Sequence, residues 1–182
     1  MKLTMKMTGL LALAMIALTA CGGGGSAADE GPYDITDYDY TTDQVLEDVF
    51  EEEGVVDYYA TAEMIVDAKL TIKPGVVIEF EKESGFNINT GTLVVEGTED
   101  AGVVFREYTA GNGWRSGSIS SNASQSISNL TIEDAGVEAF LNNQTAAALS
   151  FGRDTDPTQG TITNLTIVDS KGVGFFAGAG TT

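Results

Sequence analysis

Histidine is absent from this chain, cysteine occurs once, and only 9 of 182 residues are Lys or Arg. The missing His removes the commonest general base and the commonest metal ligand. Ser–His–Asp and Cys–His mechanisms are excluded with it. A single Cys excludes intrachain disulfides and Cys-based zinc sites. Nine bases against 27 acids give a formal net charge of −18, and a surface of that sign does not bind nucleic acid. No apolar run reaches the ~18 residues needed to span a bilayer. Two-residue hairpin signals such as Asn-Gly are nearly absent. Carboxylate chemistry, oxygen-ligated cations or no chemistry remain, and nothing in the pattern calls for a cofactor. The length suits one ordinary domain with a tail.

The first segment reads as an address. Lys2 and Lys6 precede an apolar stretch from Met7 to Leu18, the pattern of an export signal. The run Leu18-Thr19-Ala20-Cys21 resembles the lipobox of bacterial lipoproteins. That resemblance implies residues 1–20 as a signal peptide, cleavage before Cys21, a diacylglycerol thioether on its sulfur and an acylated amine. The lone Cys thus falls where a lipid needs it, and several acyl chains anchor firmly where one binds marginally. Gly22-Gly23-Gly24-Gly25-Ser26-Ala27-Ala28 then reads as a flexible tether, within a Gly-rich and acidic linker over 21–42. Gly22 after the Cys, rather than Asp, favours the outer membrane by resemblance to enterobacterial sorting. The expected location is the cell envelope, with the membrane as a partner through the lipid.

Acid is unevenly spread. Asp29 to Asp67 holds 14 Asp and Glu and no base, whereas Ala68 to Thr182 holds 13 acids and 7 bases. Asp34, Asp37, Asp39 and Asp43 form a low-complexity run that reads as solvated linker. The sharper reading is a calcium site, because clustered carboxylates are hard oxygen ligands, but the EF-hand pattern is missing. Over 43–54 the spacing predicts a short amphipathic helix. Thr41 and Gln44 have capping-box spacing. Val45, Leu46, Val49 and Phe50 share one face, and Gly54 suits a C-terminal cap. Such a helix is expected to cover an open end of the adjoining domain.

From residue 55 onward, short β-branched runs alternate with Gly, Asn, Asp and Ser, which is an all-β pattern. One repeat decides the architecture. Ser126-Ile127-Ser128-Asn129-Leu130-Thr131-Ile132-Glu133-Asp134 matches Thr161-Ile162-Thr163-Asn164-Leu165-Thr166-Ile167-Val168-Asp169 at an offset of 35. After a one-residue slip, Gly136-Val137 matches Gly172-Val173 and Phe140 matches Phe176. In a solenoid the Ile and Leu residues point inward and stack on equivalents one coil away. Asn129 and Asn164 sit at bends, where Asn tolerates left-handed backbone, and their amides can ladder between coils.

Tyr59 to Phe80, with Leu70-Thr71-Ile72-Lys73-Pro74-Gly75 at its centre, resembles the opening of right-handed parallel β-helix repeats in bacterial envelope proteins of the pectate-lyase-like superfamily. Gly91 to Thr98 and Val103-Val104-Phe105 continue the likeness, and Trp114 to Ile119 is a spaced-out version of the next element. The resemblance implies a right-handed parallel β-helix of about 4–5 coils over 55–182. Gly178-Ala179-Gly180-Thr181-Thr182 follows a coil with no cap, so a truncated or partnered C-terminus is expected. The fold does not specify an activity.

Asp134 and Asp169, as equivalent residues on neighbouring coils, stand roughly 5 Å apart. That spacing suits a retaining glycosidase, or a calcium-assisted polysaccharide lyase. Trp114 can stack on a sugar ring, and Arg115 can bind a sugar acid. The competing expectation is that both Asp residues end strands in solvated turns. The leading function is a non-catalytic surface for a glycan or an envelope partner, with the carboxylate enzyme second. One outcome follows directly: in cells, Cys21→Ser abolishes incorporation of labelled palmitate and moves the protein out of the membrane fraction. Unchanged labelling contradicts the lipobox reading.

Overall fold

The structure is a computed structural model, and it describes residues 31–139, 145–152 and 158–178. The signal segment, Cys21 and the linker as far as Glu30 lie outside the described residues. Every regular element among the described residues is a β-strand. In chain order they are β1 (Tyr33–Asp34), β2 (Gln44–Leu46), β3 (Tyr58–Ala60), β4 (Glu63–Val66), β5 (Lys69–Ile72), β6 (Val77–Phe80) and β7 (Gly85–Ile88). Then come β8 (Thr92–Glu96), β9 (Val103–Glu107), β10 (Ser116–Ile119), β11 (Ser124–Glu133), β12 (Ala147–Phe151), β13 (Gln159–Val168) and β14 (Val173–Ala177).

All pairings between these strands are parallel. One sheet runs β14-β12-β10-β7-β4, and the other runs β1-β3-β6-β9-β11-β8-β5-β2, with β13 on β11. The second sheet is folded along its length. The first arm of β11 pairs with β8, and its second arm pairs with β9. The strands therefore line three faces, and the two sheets curl around one axis, consistent with a β-solenoid.

Parallel register places each residue beside its equivalent in the next coil. One inward column reads Leu46, Ile72, Val95, Ile127, Ile162. Another reads Tyr58, Ile78, Phe105, Ile132, Ile167. Most of these side chains are buried in one continuous core. Phe80, Phe86, Phe105 and Trp114 fill its widest part. Phe80 stacks on Trp114 at 4.4 Å, and Phe86 meets Phe105 edge-on at 5.6 Å. Gly117 has no room for a side chain, since a Cβ there would run into the Phe86 ring.

The corner reading of the two Asn residues holds. Asn129 has φ 47° and Asn164 φ 53°, both left-handed. Asn164 Nδ2 donates to Asn129 Oδ1 at 2.8 Å, and Asn129 Nδ2 donates to the Gly97 carbonyl at 2.7 Å. These bonds form a ladder along one edge of the solenoid. The 35-residue match is in register from Ser126↔Thr161 to Glu133↔Val168. Beyond it the sequence alignment slips. Phe176 pairs with Ser150 rather than with Phe140, which lies outside the described residues.

No capping helix forms over 43–54. Gln44–Leu46 is instead a strand paired with Leu70–Ile72, with Leu46 buried and Val45 exposed. An isolated three-turn helix carries a nucleation cost, whereas the open solenoid edge supplies ready hydrogen bonds. Gln44 Nε2 donates to the Asp39 carbonyl rather than closing a capping box. The loop after β2 is held by Asp57, which is 1% exposed. Its carboxylate accepts backbone N–H groups from Val49, Phe50 and Val77. Ile35, Tyr40 and Leu46 close this end of the core without a helix.

Asn129→Ala is expected to lower stability by about 2–3 kcal/mol, combining a left-handed backbone cost of ~1–2 kcal/mol with a lost hydrogen bond of ~1 kcal/mol. Asn129→Gly, which keeps the backbone geometry, costs less. Chemical denaturation of the two variants measures the difference, and equal losses contradict the left-handed corner.

Candidate functional site

Asp134 and Asp169 follow the second arms of β11 and β13. The Glu133↔Val168 pairing sets them on neighbouring coils. Both adopt left-handed backbone, with φ 56° and 49°. Asp134 Oδ1 accepts a hydrogen bond from Lys171 Nζ at 2.6 Å. That bond is the main reason the Lys171 amine is held above its ordinary value. Partial desolvation opposes the shift, and the charges of Asp134, Glu107 and Asp169 add to it. Glu107 meanwhile accepts the backbone N–H groups of Gly111 and Gly113 at 2.6 Å each. Lys171 is thus bonded to Asp134 alone among these carboxylates, and Glu107 closes the turn through Gly111 and Gly113. The repeat pairs the two Asp residues but does not mark Lys171, which falls at the one-residue slip before Gly172 and has no counterpart between Asp134 and Gly136.

Trp114 and Arg115 go elsewhere. Trp114 is 0% exposed. Its ring lies on Phe80, and its Nε1–H donates to the Glu133 carbonyl at 2.7 Å. A ring so enclosed offers no face to a sugar. Arg115 pairs with Glu63 at 3.0 Å and donates to the Ala139 carbonyl at 3.2 Å. The cation at Asp134 is thus Lys171.

The acidic run is used locally. Asp34 accepts the Thr36 N–H, Asp39 accepts the N–H and hydroxyl of Thr41, and Asp43 accepts the Lys69 N–H. The Asp34 and Asp39 bonds are side-chain turns, which Asp forms readily, and the Asp43 bond reaches β5, 26 residues on. Among the described residues no group of three or more acidic or Cys side chains is placed to hold a metal ion.

A different surface brings the exposed Tyr108 together with half-buried Tyr59, Glu79 and Arg106. On the outer side of the face built from β3, β6, β9 and the second arm of β11, register aligns Tyr59, Glu79 and Arg106. Arg106 Nε donates to Glu79 Oε1 at 3.0 Å, so the ion pair is fixed across two coils. Tyr108, 48% exposed, leans over the same face with its ring 5.9 Å from that of Tyr59. The sequence conceals this cluster because the coils between its members differ in length. Alternation of outward residues within each strand is the signal that points to it.

Compared with family models, with curated proteins and with solved structures, the chain matches none.

The buried Trp is directly measurable. Trp114 is the single Trp of the chain, so its fluorescence is expected to be blue-shifted, weakly quenched by acrylamide, and unchanged by added saccharide. Strong quenching in the folded protein contradicts its burial against Phe80.

Proposed function

We propose that this is a non-catalytic, lipid-anchored protein of the cell envelope whose solenoid presents a saccharide-binding face. The single observation carrying this reading is the Tyr59–Tyr108 pair beside the Glu79–Arg106 ion pair on one outer surface. A sugar has an apolar face of C–H groups and a rim of hydroxyls. An accessible tyrosine ring offers flat apolar area with a polar tip. The neighbouring carboxylate accepts from hydroxyls, and the guanidinium donates to them in a fixed planar fork. Both charged groups are already oriented by each other, so binding orders little that was free.

In this reading Cys21 carries the lipid, the Gly22–Ala28 tether lifts the domain off the outer membrane, and the coils wind right-handed. The hand is the one that parallel crossovers strongly favour. Nothing about Asp134 or Asp169 favours the enzyme over the binding surface, since Asp134 is tied to Lys171.

Titration of the domain with a panel of neutral and acidic hexasaccharides tests the proposal. Binding of at least one member, weakened at least tenfold by Tyr108→Ala with the chain still folded, supports it. Depolymerisation of a polysaccharide that Asp134→Asn or Asp169→Asn abolishes overturns it in favour of the carboxylate enzyme.

A further inference from the structure

We propose that the saccharide taken by this face carries free amino groups, so that the ligand is an unacetylated, cationic aminoglycan. The inference rests on the saccharide reading and adds the class of sugar.

A cavity of about 380 Å³ adjoins the tyrosine cluster. Val77 and Val104 line it, and they are register partners on β6 and β9. Strand alternation puts them on the outer side with Glu79 and Arg106, two residues or about 7 Å along. Arg106 Nη2 reaches the carbonyl of Gly54, another lining residue, at 3.5 Å. The cavity and the tyrosine pair therefore belong to one continuous surface. Its volume falls in the ~300–1,000 Å³ range of small-ligand sites.

Charge selects the ligand. The same cavity is lined by Asp48, Glu51, Glu53 and Asp100, and by no Lys or Arg among the described residues. On the tyrosine side, Asp34, Tyr59, Glu79 and Arg106 succeed one another in register. The Ile132↔Phe105 pairing sets Glu133 on the far side of Arg106. The guanidinium thus has a carboxylate on each neighbouring coil. Lys82, in the turn after β6, lies between Glu81 and Glu83 in sequence. Lys73, two residues before Gly75, is paired with Glu96 at 2.8 Å. A uronic acid finds no unbalanced cation here, and its own carboxylate meets a negative field.

Among the described residues no three acids converge to hold a metal ion. Negative charge spread along a groove instead matches cations spaced along a chain, and the ammonium groups of a glucosamine polymer are such a series. Its pyranose rings still offer C–H faces to Tyr59 and Tyr108, and an ammonium is itself attracted to a tyrosine face. A neutral sugar keeps the ring contact and loses the attraction of charge.

Residues Gly31–Thr182 form one compact unit containing the whole described core, and this unit contains no Cys. Calorimetric titration of it at mildly acidic pH, where sugar amines are protonated, compares three probes: the β-1,4-linked glucosamine hexamer, its N-acetylated form and hexagalacturonate. The glucosamine hexamer is expected to bind at least tenfold tighter than its acetylated form, with the advantage shrinking as salt rises. Glu53→Gln with Asp100→Asn should cut that preference at least threefold, since neither side chain is hydrogen-bonded among the described residues and circular dichroism should not change. Tyr108→Ala should weaken both glucosamine-based hexamers. Equal binding of those two, tighter binding of hexagalacturonate, or a preference that the double variant leaves intact overturns the inference and leaves the saccharide reading standing. Binding of the glucosamine hexamer that Tyr108→Ala leaves unchanged overturns it as plain charge adsorption. Absence of binding by all three overturns both.

Discussion

Stacking of like side chains across parallel strands, at a spacing of ~4.8 Å, is the interaction on which the rest of this structure depends. No single coil encloses a core. Each buries its inward Ile, Leu, Val and Phe residues only because the next coil offers the same residue type at the same place. The column from Leu46 through Ile72, Val95 and Ile127 to Ile162 is the plainest case. It loses its cover at Ile162, where the stack of described coils stops. Polar positions obey the same rule at the corners, where Gly97, Asn129 and Asn164 succeed one another along one edge. Stability and the location of exposed apolar surface therefore follow from one geometric constraint.

The constraint also sorts residues into structural and available ones. Trp114 satisfies the core and its own N–H together. Asp57 is buried because three backbone N–H groups need it. Asp134 adopts a left-handed backbone after β11 and holds Lys171. Outward positions in the middle of strands are under no such demand, and Tyr59, Glu79 and Arg106 occupy them. A binding role fits residues that the fold can spare. The heavy acid load, from Asp29 to Asp67, belongs to the N-terminal part of the chain, and its described residues carry β1 to β4 of the folded unit.

Much of the architecture is legible in the residues themselves. Alternation marks the strands, the repeat fixes coil-on-coil register, and Asn at equivalent positions marks the left-handed corners. Three things are hidden, each for a physical reason. Val45, Leu46, Val49 and Phe50 have helical spacing, but a segment this short takes its structure from the sheet edge beside it. The chain between β11 and β12 is longer than that between β13 and β14, so the in-register match stops after Glu133↔Val168, and Phe140 lies outside the described residues. The Tyr59–Tyr108 cluster joins residues from coils of unequal length, and only the register brings them together. Lys171 escapes for a similar reason, because its partner Asp134 lies one coil away.

The parallel, in-register repeat is the central claim, and a cysteine pair tests it most directly. Thr131 and Thr166 are register partners on the outer side of β11 and β13. Their separation of about 4.8 Å falls inside the ~4.4–6.8 Å that a disulfide spans. In the Cys-free unit Gly31–Thr182, the double variant Thr131→Cys with Thr166→Cys is predicted to form an intramolecular disulfide in the folded state. Ser126→Cys with Thr166→Cys should stay reduced, because Ser126 pairs with Thr161. A disulfide in the second variant and none in the first would mean antiparallel strands, and would contradict the solenoid.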